Sequence, residues 1–182
     1  MEVSKVPVIA SHSSPRHFTP GWERNMSDEM ITALAKNGGV IQINFGSSFI
    51  NEQAKAWYDT MDDERTAFLE ANDVESDSAE AKQFRKDYLA KVPFPFASLD
   101  NLVANFEHVI DLVGAEHVGI GSDFDGVGDS LPEGMKDVSY YPALIEELLK
   151  REYPVDTIRA IMGGNLMRVW GEVEAYAQKA KG

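Results

Sequence analysis

The chain has 182 residues, 43% of them hydrophobic, enough for one domain with its own core and too many for global disorder. A formal net charge of -13 argues against nucleic acid or an anionic membrane surface as partner, because both need clustered Lys and Arg. The absence of cysteine excludes disulfides and thiolate metal sites.

Taken in chain order, the opening segment MEVSKVPVIASHSS reads as a strand rather than a signal-peptide core, so localisation stays open. No apolar run approaches the ~20 residues of a membrane span. Three short β-branched runs read as parallel strands buried on both faces: Val6 to Ser11, Gly39 to Phe45, and His117 to Asp123. Between the first two, Ser27 caps a helix with Asp28 and Glu29 in its first turn, and Gly38 ends it. Residues 99 to 113 repeat Leu102, Phe106, Val109, Ile110 and Val113 at helical spacing before Gly114. After the third strand, residues 142 to 151 are expected to bury Leu144, Ile145, Leu148 and Leu149, and residues 155 to 162 make a short helix. The last helix starts near Asn165, read as its N-cap, and sets Leu166, Val169, Trp170 and Val173 on one stripe.

Strands alternating with helices are the rhythm of βα units and a parallel sheet. The stretch from Asn51 to Pro95 is a charged, helical insert, and Pro93 and Pro95 mark the return to the core. A complete eightfold barrel takes about 250 residues. Three strands therefore predict an α/β chain forming the C-terminal part of a (β/α)8 TIM-type barrel. Its two sheet edges are expected to self-associate or to pair with more of the barrel.

Barrel chemistry sits at the C-terminal ends of the strands. His12 ends the first strand and reads either as a metal ligand or as a hydrogen-bonded strand-end histidine. Asp123 lies in Gly-Ser-Asp-Phe-Asp-Gly and could bind metal, move a proton, or cap the next turn, a role that Asp125 suits better. Arg24 suits a substrate carboxylate, or else pairs with Glu23 or Asp28. His17 and Trp22 could line a pocket, whereas His108 and His117 read as structural or surface residues. No nucleophile elbow, P-loop, dinucleotide fingerprint or HExxH helix is present.

The ordered set PVIASHSS, Arg24-Asn25, Gly39-Val40-Ile41 through Asn44-Phe45, HVGIGSDFDGV, LPEGMKDVSYYPALIEELLKR and GGNLMRVW resembles the membrane (renal-type) dipeptidase family. The resemblance covers nearly the whole chain except the insert. It implies a zinc-dependent barrel with a binuclear zinc centre that hydrolyses dipeptides. Within it, His12 is similar to a histidine ligand of the second metal, Arg24 to the residue that grips the substrate's terminal carboxylate, and Asp123 to the acid beside the bridging water. The family's other ligands come from strands upstream of the matched region, so the zinc site is expected to be incomplete and the chain inactive alone. Two other readings stay open: a different metal-dependent amidohydrolase, and a non-catalytic truncated assembly module.

Overall fold

A computed structural model describes residues 4–181. Its three strands, β1 (Ile9–Ser13), β2 (Val40–Asn44) and β3 (Val118–Ser122), are parallel and lie side by side in that order. The helices are α1 (Asp28–Lys36), α2 (Ser47–Ile50), α3 (Glu52–Asn72), α4 (Ala79–Lys91), α5 (Leu99–Val113), α6 (Tyr141–Lys150), α7 (Val155–Arg159) and α8 (Asn165–Lys181). The strand–helix rhythm expected from the sequence is present. The insert folds into the two long helices α3 and α4, and Ala97, where the chain rejoins the core, donates its N–H to the Ser47 hydroxyl.

Local chemistry explains the helix boundaries. Ser27 accepts from the Met30 N–H to open α1, and Asn51 accepts from Gln53 and Ala54 to open α3. Ser98 and Asn101 form a reciprocal capping box at α5.

The central strand β2 is buried throughout. Ile41, Ile43 and Phe45 join the core with Ile31 and Leu34 of α1 and Leu102, Val103, Phe106 and Val109 of α5. Each large side chain fully buried there contributes about 1.5–3 kcal/mol relative to exposure. Alternation sends Gln42 and Asn44 to the opposite, polar face. On that face the sheet curls. A Cβ at Gly121 would lie 2.7 Å from the Ser11 carbonyl oxygen of β1, a strand that β3 does not pair with. Only glycine lets the backbones approach this closely.

Several expectations are corrected. β1 is an exposed edge, with Ile9, Ser11 and His12 open to solvent, because helices cover only part of this strand's surroundings. It also runs two residues past the expected Ser11, so His12 lies inside the strand. On α6, Leu144 and Leu148 are buried but Leu149 is exposed, since it lies off the face that meets α5. On α8, Val169 is buried while Trp170 and Val173 are exposed. Asn165 is not a cap. It has helical dihedrals, and its amide donates to the carbonyls of Ala115 and Val118, bolting α8 to the start of β3.

Candidate active site

The ends of β1 and β3 and the loop before α1 enclose an open depression of about 530 Å³ lined by His12, Arg24, Asp123, Ser11, Ser13 and Met26. All three predicted site residues therefore meet in one place.

Asp123 is held in an uncommon conformation. Its φ is +65°, following Ser122 at +27°, in the left-handed region that Asp tolerates better than most residues. Its carbonyl accepts from the Gly126 N–H, closing a turn. The carboxylate does not cap that turn. Its Oδ2 accepts from the Asn44 side-chain amide at 2.7 Å. Asn44 is fully buried, and its own Oδ1 accepts from the Gly46 N–H. Gly126 is required for this arrangement, because a Cβ there would sit 2.0 Å from Asp123 Oδ1. Asp125 is exposed at the surface.

Arg24 is exposed, and its guanidinium lies 5.4 Å from the centre of the Phe49 ring. The expected alternative pairing with Glu23 or Asp28 is not formed; Asp28 instead bonds His108 at 2.8 Å. The loop carrying Arg24 is fixed by its buried neighbour Asn25. That amide donates to Thr19 Oγ1 and the Phe49 carbonyl, and its oxygen accepts from the Ser14 N–H. Ser14 in turn donates its hydroxyl to the Asn44 carbonyl. One buried polar network thus ties the Arg24 loop to the strand that orients Asp123.

His12 is exposed on β1, with Nδ1 3.1 Å from the Ser11 hydroxyl. His17, expected to line a pocket, lies outside the depression. It stacks on His108 at 4.5 Å, because the turn after β1 swings it over α5. Trp22 packs on Phe49 at 4.7 Å and lines a neighbouring groove. His117 is structural, with Nδ1 2.8 Å from the Gly39 carbonyl. Asn44 and Asn25 are the residues that sequence reasoning passed over. The one available signal was a strand-end or loop asparagine in a segment too apolar to leave its amide unsatisfied.

Structural zinc sites are closed by about four ligands, and catalytic ones by about three plus water. Among the described residues no group of three His, Cys, Asp or Glu side chains comes together to hold a metal. The depression offers one imidazole, His12, and one carboxylate with an oxygen already bonded to Asn44. By themselves these residues do not fit a zinc centre.

The family model for membrane dipeptidases, peptidase family M19, matches residues 1–182. The chain is 34% identical over 178 residues to an uncharacterized dipeptidase, C965.12, of Schizosaccharomyces pombe, covering 97% of this chain and 33% of that protein. It is 33% identical to dipeptidase aclJ of Aspergillus oryzae, covering 97% of this chain and 32% of that one. The crystal structure of the probable dipeptidase PvdM from Pseudomonas aeruginosa superposes with a TM-score of 0.73 at 30% identity, over 96% of this chain and 46% of that one. The fold of another dipeptidase, a metallopeptidase of family M19, matches with a TM-score of 0.66 at 23% identity. The chain thus spans about a third of the length of the curated relatives it matches.

Proposed function

The chain belongs to the membrane dipeptidase family, peptidase family M19, and on that premise we propose that it carries part of the site of a zinc-dependent dipeptidase. The observation that carries this reading is the shared depression. An arginine without an ion-pair partner and a carboxylate anchored by a buried amide face the same space as an exposed imidazole of β1.

Arg24 grips the dipeptide's terminal carboxylate through its planar fork, which fixes the scissile bond relative to β3 and makes attack effectively unimolecular. Asp123 takes a proton from the attacking water and delivers it to the departing amine. Oδ1 is the oxygen for that transfer, since Oδ2 is occupied by Asn44. His12 would be one ligand of the zinc, and the remaining ligands would have to come from outside the depression. Residues 1–182 form one partial barrel domain with the insert at 51–95.

The exposed β1 edge and the apolar Met167, Trp170 and Val173 on α8 suit burial against more of the barrel or a second copy. With its metal ligands incomplete among the described residues, the chain alone is inactive. The test is zinc stoichiometry and dipeptide hydrolysis on the purified chain. Substoichiometric zinc without turnover is expected, and a full complement of zinc with robust turnover overturns the reading of an incomplete site.

A further inference from the structure

The chain has seven arginines. Five are engaged: Arg16 by the Asn25 and Glu23 carbonyls, Arg65 by the Ser76 carbonyl, and Arg151, Arg159 and Arg168 by acidic side chains. Among the described residues, the guanidinium groups of Arg24 and Arg85 make neither a hydrogen bond nor an ion pair. Arg24 is in the candidate site. Arg85, on α4 of the insert, lines a groove of about 420 Å³ floored by Trp22, Phe49 and Tyr58.

Two lining residues of that groove lie next to residues of the candidate site. Phe49 has Trp22 4.7 Å from its ring and the Arg24 guanidinium 5.4 Å from its centre. Gly126 lines the groove and abuts the Asp123 carboxylate. Two of the other charges nearby are already matched. Lys55 pairs with Asp59 and lies 4.9 Å over the Trp22 ring. Asp129, beside Arg85, is bonded by Lys136 at 3.3 Å. Asp62 lines the crevice on the far side of Arg85 but forms no ion pair with it. Arg85 is thus an uncompensated cation in a chain of net charge -13.

We infer that this groove is a subsite for an acidic side chain of the dipeptide, with Arg85 as its specificity-determining residue; the inference rests on the dipeptidase reading above. The substrate class is a dipeptide carrying a glutamate- or aspartate-type side chain, a second anion beyond the terminal carboxylate held by Arg24. The aromatic floor packs the methylene stem, and the Arg85 fork takes the side-chain carboxylate. Two anions on one small ligand thereby meet two cations, Arg24 beside the Phe49 ring and Arg85 in the groove that Phe49 lines.

The test is titration of the 182-residue chain with dipeptides containing glutamate and with their glutamine isosteres, followed through the Trp22 indole N–H resonance. Glutamate dipeptides are expected to bind roughly five- to tenfold tighter, a modest factor because the arginine is exposed. Arg85→Gln should abolish that preference, Arg85→Lys should keep part of it, and Arg24→Gln should weaken both ligands equally. Arg85 is at an exposed helix position, so these variants should fold, as circular dichroism will show. Binding that depends on Arg24 but does not distinguish glutamate from glutamine overturns the subsite alone, as does a preference that survives Arg85→Gln. No binding of either dipeptide overturns the subsite, while the dipeptidase reading beneath it is decided separately by zinc stoichiometry and turnover.

Discussion

The side-chain amide of Asn44 donates to Asp123 Oδ2 at 2.7 Å, bridging the ends of two adjacent strands. The bond spans 79 residues of sequence and sets the direction of a carboxylate on a strained turn. Because Asn44 also accepts from the Gly46 N–H, its amide cannot rotate without losing both partners.

Replacing this amide should separate positioning from binding. In an enzyme with a completed site, Asn44→Ala is expected to lower kcat roughly 10- to 100-fold with little change in KM, as for other residues that orient a reacting group. It should also cost about 1–3 kcal/mol of stability, because the buried Gly46 N–H loses its acceptor. Steady-state kinetics and urea unfolding measure the two effects; a rise in KM at constant kcat contradicts the positioning role.

Gly126→Ala should disturb the same carboxylate from the other side. The added methyl would sit 2.0 Å from Asp123 Oδ1, so the half-exposed aspartate must rotate away and release Asn44. The fold should survive, since the clashing group is the end of a side chain. The Asn44 amide protons should lose their protection from solvent exchange, and unchanged Asn44 resonances would show that Asp123 is not displaced.

Asn165 offers a test of how α8 is held. Asn165→Ala leaves the Ala115 and Val118 carbonyls without their donor and is expected to destabilise the chain by about 1–3 kcal/mol. Asn165→Asp should be worse, because a carboxylate would face two carbonyl oxygens. Denaturant midpoints in the order wild type, Ala, Asp support this, and an Asp variant as stable as wild type refutes it.

Acid stability has a local contributor in Asp137. Hydrogen bonds from the Ser139 hydroxyl and N–H hold its carboxyl below the ordinary aspartate value. A depressed folded value means the stabilisation is fully present above the ordinary aspartate range and is lost as pH falls through the folded value. Asp137→Asn should therefore be less stable than wild type near neutrality, and the gap should narrow on acidification. Unfolding curves at about pH 6 and about pH 3 decide it; a gap that widens in acid has the wrong sign.

Much of the fold was legible in the sequence because its signals are local. Ser27, Gly38 and Gly114 lie within one turn of the helix ends they mark. The apolar repeat of α5 predicts its bounds to the residue. Local periodicity misplaced Leu149 and left the exposure of Trp170 and Val173 undecided, because a helical stripe shows which residues share a face but not what covers it. His17 was misjudged for a similar reason, since its proximity in sequence to Arg24 does not reveal that its ring stacks on a helix ninety residues away.

By itself the sequence determined the βα order, the family resemblance, and the identity of His12, Arg24 and Asp123 as strand-end and loop candidates. These follow from short-range spacing and from motifs whose residues are contiguous. Only the tertiary structure decided that the three share one depression, that Asn44 rather than the turn takes the Asp123 carboxylate, and that Phe49, beside Arg24, lines the same groove as Arg85. Those relations join residues tens of positions apart, and they exist only once sheet curvature and helix packing bring the segments together.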